Sequence, residues 1–199
     1  MTDLLSVPKA ETSASCHLPM LGARQSGSLR TDDFHETPRI AVDSLLAVES
    51  FDGAIWEPAC GHGAISDILL ARGFEVVSTD LVSRGYGQGR VDFLMETSPL
   101  APNIITNPPF KLAAEFADKA HVLAGGKVAL LCRLGWLEGS ARRMMFERTG
   151  LSRIWVFSKR LPMMHRHGYV GPKSTSAIAF AWFVWDRAHV GPPTLGWLP

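Results

Sequence analysis

The chain has no apolar run approaching the roughly 20 residues that a membrane-spanning helix requires, and its first residues lack the charged-then-apolar layout of a secretory signal. Both absences predict a cytoplasmic protein. Cysteine is scarce: Cys16, Cys60 and Cys132 make three in all. They have no CxxC spacing, which argues against a zinc cluster, an iron–sulfur site or a disulfide framework. No metal is expected. Net charge is nearly absent as well, at +1 over 199 residues, so the total says little about partners.

The distribution of charge says more. From Arg133 to Lys173 there are nine Lys and Arg residues against two acids, Glu138 and Glu147. A block so biased fits either a solvated surface or a phosphate-binding face. With 46% hydrophobic and 20% charged residues, the chain suits one ordinary domain. Residues 1–30 mix Ser, Thr, Gly and Pro without apolar periodicity and read as a flexible arm. The domain is expected over residues 31–190. The Pro- and Gly-rich residues 191–199 read as a surface tail.

Within the domain, short apolar runs alternate with amphipathic stretches. A helix is expected from Pro38 to about Glu49, with Thr37 as N-cap. Strands are expected at Ala54–Trp56, Phe74–Thr79, Ile104–Thr106, Lys127–Cys132 and Ile154–Phe157. The intervening helices fall near Gly63–Arg72, Phe110–Leu123 and Ser140–Arg148. This is the pattern of an α/β fold, a mostly parallel twisted sheet with helices on both faces. The aromatic segment Thr175–Trp185 follows a strand with no helix between, so it is expected to return antiparallel beside Ile154–Phe157.

Two motifs carry chemistry. In the run Ile55-Trp56-Glu57-Pro58-Ala59-Cys60-Gly61-His62-Gly63, a strand passes through a glycine turn into a helix. Glycines at 61 and 63 let the backbone approach a nucleotide ligand, with the helix N-terminus facing it. Asp80 ends the next strand, where a carboxylate can accept from two ribose hydroxyls. A dinucleotide fold would share these features, but Ser66 replaces its third glycine. The second motif, Asn107-Pro108-Pro109-Phe110, directly follows the strand Ile104–Thr106. Ligands of open α/β sheets bind at such a strand end. The prolines stiffen the backbone, so that the Asn107 side-chain oxygen and the Pro108 carbonyl offer two acceptors to an amino group. Phe110 offers a face on which a planar base can stack.

The order of Thr37-Pro38, the Glu57 to Gly63 run, Asp80, Asp92-Phe93 and Asn107-Pro108-Pro109-Phe110 resembles that of amino-group DNA methyltransferases, especially small phage and prophage adenine-N6 enzymes. The resemblance spans Asp32 to Lys173. It implies a Rossmann-like methyltransferase fold and S-adenosyl-L-methionine as cofactor. Thr37, Pro38, Glu57, Pro58, Ala59, Cys60, Gly61 and Gly63 would then surround the methionine end, together with Asn107. Asp80 and its neighbour Leu81 would hold the ribose, while Asp92 and Phe93 would hold the adenine. The catalytic set would be Asn107, Pro108 and Phe110. Two departures accompany the resemblance: the strand before Asp92 is barely visible among Gly85, Gly87 and Gly89, and the residues after Trp185 are too few for a separate target-recognition domain.

The expected substrate is adenine N6 in DNA, flipped from a duplex. The same chemistry on RNA or on a protein glutamine is the alternative, and a non-enzymatic DNA-binding module is a third reading. Cytosine-C5 chemistry would need a cysteine in the substrate loop, where there is none. Pro109 and Phe110 are expected to contact the substrate. With the Ile154 strand parallel and the Thr175 strand antiparallel, Lys159, Arg160, Arg166 and Lys173 would emerge beside the same pocket to hold phosphates.

Overall fold

Residues 36–163 and 178–199 are described in a computed structural model, in which a compact unit runs from Asp32 to Pro199. Its strands are β1 (Ile55–Glu57), β2 (Val76–Asp80), β3 (Gln88–Gly89), β4 (Asn103–Thr106), β5 (Lys127–Arg133), β6 (Leu151–Phe157), β7 (Phe180–Asp186) and β8 (Thr194–Leu198). They form one sheet in the order β3-β2-β1-β4-β5-β7-β6-β8. β7 is antiparallel to both β5 and β6, and the other pairs are parallel.

Alternation along the central strands explains the layers. Val128, Leu130 and Cys132 of β5 and Ala181, Phe183 and Trp185 of β7 face one core. There they meet α3 (Ala113–Leu123) and α4 (Ser140–Thr149) through Phe116, Ala120, Met145 and Phe146. The intervening residues Ala129, Leu131, Trp182 and Val184 face a second core, covered by α1 (Arg39–Val48) and α2 (Ser66–Ala71). Strands buried along their length, with successive side chains alternating between two cores, therefore carry helices on both faces. Each large side chain removed from water, such as Trp182 or Phe183 at 0% exposure, contributes about 1.5–3 kcal/mol.

The structure corrects the expected tail and the expected helix cap, and extends the expected antiparallel return beside Ile154–Phe157. The segment read as a tail contains β8, which pairs in parallel with β6 from Arg153↔Thr194 to Phe157↔Leu198. Leu198 is buried, and Gly196 lets the Trp155 ring lie flat against the strand, where a Cβ would sit 2.0 Å from that ring. The returning strand β7 also pairs with β5, inserting between β5 and β6. Finally, the first helix begins at Arg39, with Pro38 at the N-cap and no side-chain cap bond. Thr37 lies one residue before the cap, and its hydroxyl accepts from the Asn107 amide.

At the amino edge of the sheet, a buried carboxylate ties the end of α1 to β5 and β6. Glu49, 2% exposed, pairs with Lys127 at 3.0 Å and with Arg153, and accepts from the Trp155 indole at 2.9 Å. Arg153 also bonds Asp186 at 2.9 Å. Burial raises the Glu49 carboxyl, but bonds from Arg153, Trp155 and Lys127 outweigh it and leave it below its ordinary value. Asp186 is likewise lowered, with burial outweighed by Arg153, the Ala188 N–H and Lys127. Both groups bind protons more weakly folded than unfolded. Their contribution is complete above the ordinary carboxylate range near about pH 4 and is lost as pH falls through the lowered folded values. Glu49→Ala leaves two cations without their buried partner and is expected to cost about 3–5 kcal/mol at neutral pH. Urea denaturation across pH checks this: the gap between parent and variant should narrow below about pH 4, and a gap independent of pH would refute the linkage.

Candidate active site

The carboxyl ends of β1, β2 and β4 lie side by side, because β1 pairs in parallel with both β2 and β4. Neighbouring strands stand about 4.8 Å apart, so Glu57, Asp80 and Asn107 are gathered at one edge. The glycine turn is fixed there by the Asp80 carboxylate. One oxygen accepts from the Gly61 N–H and the other from the Val82 N–H, each at 2.8 Å. The Cys60 N–H reinforces the tie through the Thr79 carbonyl at 3.0 Å. Asp80 is 9% exposed, whereas Leu81 beside it is 60% exposed and Val82 38%. A carboxylate thus borders an apolar surface step.

Beneath the turn lies a closed polar network. Glu57 is 2% exposed and accepts from the Ser66 hydroxyl, which lies 2.6 Å from the Ser78 hydroxyl. Burial pushes the Glu57 carboxyl well above its ordinary value against the Ser66 bonds, and the nearby Asp80 and Asp67 charges add to the rise. Burial therefore disfavours charge on Glu57, whose bond to Ser66 props the turn from below. Pro58 is buried with it, and Ala59 is half-buried.

Both glycines of the turn have left-handed backbone, with φ of 57° at Gly61 and 88° at Gly63. The space over Gly63 is filled by a residue that the sequence reading passed over. A Cβ there would lie 2.3 Å from the Tyr86 ring, whose hydroxyl donates to Asp67 at 2.7 Å. Tyr86 sits in the glycine-rich stretch between β2 and β3, where local pattern gives no sign of the contact. Burial lifts its hydroxyl pKa to about 12, with the Asp67 bond adding to the rise.

At the end of β4, the Asn107 amide is oriented by a partner 70 positions away. Its Nδ2 donates to Thr37 Oγ1 at 3.1 Å, and Thr37 is only 6% exposed. This bond sets which way the amide faces, with Oδ1 as the end turned from Thr37. Pro108 is buried, while Pro109 and Phe110 are half-buried. The Phe110 ring packs at 5.7 Å from Phe180, and the Arg133 guanidinium lies over it at 4.5 Å.

The other sequence candidates fall in several places. Asp92 caps the turn Phe93–Met95, accepting from the Leu94 N–H at 3.0 Å. Phe93 is in the core at 2% exposure, between Trp56 at 5.1 Å and Phe116 at 4.8 Å. Lys159 and Arg160 are exposed just past β6, on the same edge as Asn107 but three strand spacings from β4. Arg166 and Lys173 lie outside the described residues. Three cations of the basic stretch are neutralised: Arg143 by Glu147, Arg148 by Asp118, and Arg153 by Glu49 and Asp186. Burial first, then the Glu57 and Asp80 charges, pushes the Cys60 thiol up to about 12, and burial alone raises Cys132. Neither is a nucleophile at neutral pH. A recess of about 310 Å³ opens at the opposite edge of the sheet. Its Arg148 is held by Asp118 and its Arg187 by the carbonyls of His121 and Ala124, so its depth is not matched by available chemistry. No helix among the described residues is long and apolar enough to cross a membrane.

No family model matches the chain, and no curated protein matches it. Solved structures do share its fold. A Pyrococcus horikoshii protein provisionally named an RNA methyltransferase matches with a TM-score of 0.59 and 16% identity, over 76% of this chain and 85% of that one. The methyltransferase subunit of a type I restriction-modification system from Streptococcus thermophilus matches at 0.55 and 12%, over 78% of this chain but only 46% of that one. Magnesium protoporphyrin IX methyltransferase from Synechocystis PCC 6803, solved with S-adenosylmethionine bound, matches at 0.51 and 17%, over 75% and 79%. The chain thus has the Rossmann-like fold of these methyltransferases.

The Tyr86 packing gives a test of the turn. Gly63→Ala introduces both a strained φ and a clash, expected to cost about 1–3 kcal/mol each. Adding Tyr86→Ala relieves the clash but not the strain, so the double variant should lose less stability than the sum of the singles in denaturant titrations. Strict additivity would show that the ring does not rest on Gly63.

Proposed function

We propose that the chain is an S-adenosylmethionine-dependent methyltransferase that methylates an exocyclic amino group, with adenine N6 in duplex DNA as the substrate. The observation that carries this reading is the Thr37–Asn107 bond. It turns the amide nitrogen toward Thr37, so Oδ1 is the end of the amide that would accept from an amine at this strand terminus, one strand from the glycine turn. The match of residue types to the adenine-N6 pattern supports the base over other amines. One structural neighbour is named for RNA and another for a restriction-modification system, which supports a nucleic acid as the carrier.

The residues fit the cofactor. Each Asp80 oxygen accepts one backbone N–H, and a carboxylate has about four lone-pair sites, so capacity remains for two ribose hydroxyls. Leu81 and Val82 supply exposed apolar surface beside it for an adenine ring. When bound, S-adenosylmethionine supplies a methyl group already activated on a sulfonium. What is left for the protein is alignment of the acceptor, an effect worth up to roughly 7–11 kcal/mol. Asn107 Oδ1 and the Pro108 carbonyl accept from the two N–H groups of the target amine, drawing its nitrogen toward a tetrahedral, more nucleophilic form. Phe110 stacks on the base, and Pro109 keeps the loop stiff. The high thiol pKa of Cys60 favours direct transfer over a covalent enzyme intermediate.

Asn107→Ala is expected to lower methyl transfer by on the order of 10²-fold or more while changing cofactor affinity by no more than a few fold. Tritiated methyl transfer to DNA, RNA and total protein, with calorimetric cofactor binding alongside, checks both parts. Label in RNA or protein but not in DNA would overturn the choice of polymer. Equal loss of cofactor affinity would move Asn107 to the cofactor pocket.

A further inference from the structure

The Arg133 guanidinium rests on the Phe110 ring but takes no part in aligning the target amine. It is the last residue of β5, whose Leu130 lies opposite Thr106 of β4. Three further residues at about 3.3 Å each carry β5 about 10 Å past that level, alongside Asn107 to Phe110. Arg133 pairs across the sheet with Phe180, and Phe180 and Phe110 pack against the same core. The guanidinium consequently reaches Phe110 and lies over its ring at 4.5 Å. The side chain is exposed. Arg143, Arg148 and Arg153 each meet a carboxylate, but among the described residues no acid pairs with Arg133.

An arginine on the ring meant for a base is in a position to exchange. A cation–ring contact at an exposed site is weak, whereas a guanidinium makes strong, often bidentate bonds to phosphate. A base that took the Phe110 face would displace this side chain, and its nucleotide carries a phosphate of the kind a guanidinium binds.

We propose that Arg133 is the phosphate-binding residue of the target nucleotide, resting on Phe110 and transferred to the phosphate when a base takes the ring. This rests on the reading of the site as one for a nucleic-acid amine. Arg133 then acts on substrate binding and is a positioning residue for the methyl transfer.

The test uses the full chain, sheared genomic DNA for kinetics, and a random-sequence pool of labelled 30-base-pair duplexes for binding at several salt concentrations. Arg133→Ala should raise the KM for DNA by about tenfold with kcat within about threefold. It should also flatten the salt dependence of log affinity by about one unit. Arg133→Met, which keeps an apolar stem over Phe110, should flatten it equally, and Arg133→Lys should restore the slope with only part of the affinity. Cofactor affinity should stay at the parental value in all three. Parental KM and slope in Arg133→Ala would overturn the proposal, as would a loss confined to kcat, which would mean that Arg133 only supports the ring. A parent that methylates DNA beside an unaffected variant overturns this inference alone. A parent that methylates no nucleic acid overturns both this inference and the function on which it rests.

Discussion

Two backbone N–H groups converging on one carboxylate hold the carboxyl edge of this sheet in order. Asp80 joins the Gly61 and Val82 N–H groups, so the end of β2 fixes the turn after β1 and the entry into its own loop. That tie acts together with the Cys60 N–H bond to the Thr79 carbonyl and the Gly63 N–H bond to the Cys60 carbonyl to hold a turn whose two glycines lie in the left-handed region. The buried Glu57–Ser66–Ser78 network supports the turn from below, and the Tyr86 ring packs on it at Gly63. The turn is thereby held by the protein's own bonds, which reduces the ordering that binding a ligand would require.

A second constraint acts at the neighbouring strand end. Thr37 and Asn107 belong to segments far apart in sequence, and their hydrogen bond fastens the approach to α1 onto the tip of β4. At the opposite edge, Glu49 fastens the end of α1 to β5 and β6. α1 is thus anchored at both ends, and each anchor is a polar bond that burial strengthens. The site at one edge and the ion cluster at the other are connected by a single helix packed on a shared core.

How far the sequence could be read depended on the range of the interactions. Short apolar runs such as Lys127–Cys132 and the helical spacing of Ile40 to Val48 reveal elements because their signal is local. The turn from Glu57 to Gly63 and the loop from Asn107 to Phe110 were legible for the same reason. β8 was hidden because Leu195 and Trp197 remain exposed within a Pro- and Gly-rich context, so its alternation does not mark a buried face. β3, with two residues, is too short to carry a pattern at all. Thr37 shows the limit of local logic: before a proline it looks like a cap, but its hydroxyl has a partner 70 residues on. The basic stretch misleads similarly, since Arg153 meets Glu49 across 104 positions. Tyr86 and Arg133 were invisible as site residues because only the folded sheet brings them to Gly63 and Phe110.

The central claim is that the Asp80-anchored turn is the seat of an adenosyl cofactor. Isothermal calorimetry of S-adenosylmethionine with the intact chain and with Asp80→Ala tests it most directly. Two charge-assisted hydrogen bonds to a ribose, each worth roughly 1.5–3 kcal/mol, predict one cofactor bound per chain and an affinity at least about tenfold weaker in the variant. A dissociation constant unchanged by Asp80→Ala, or no binding by the parent chain, would contradict the account.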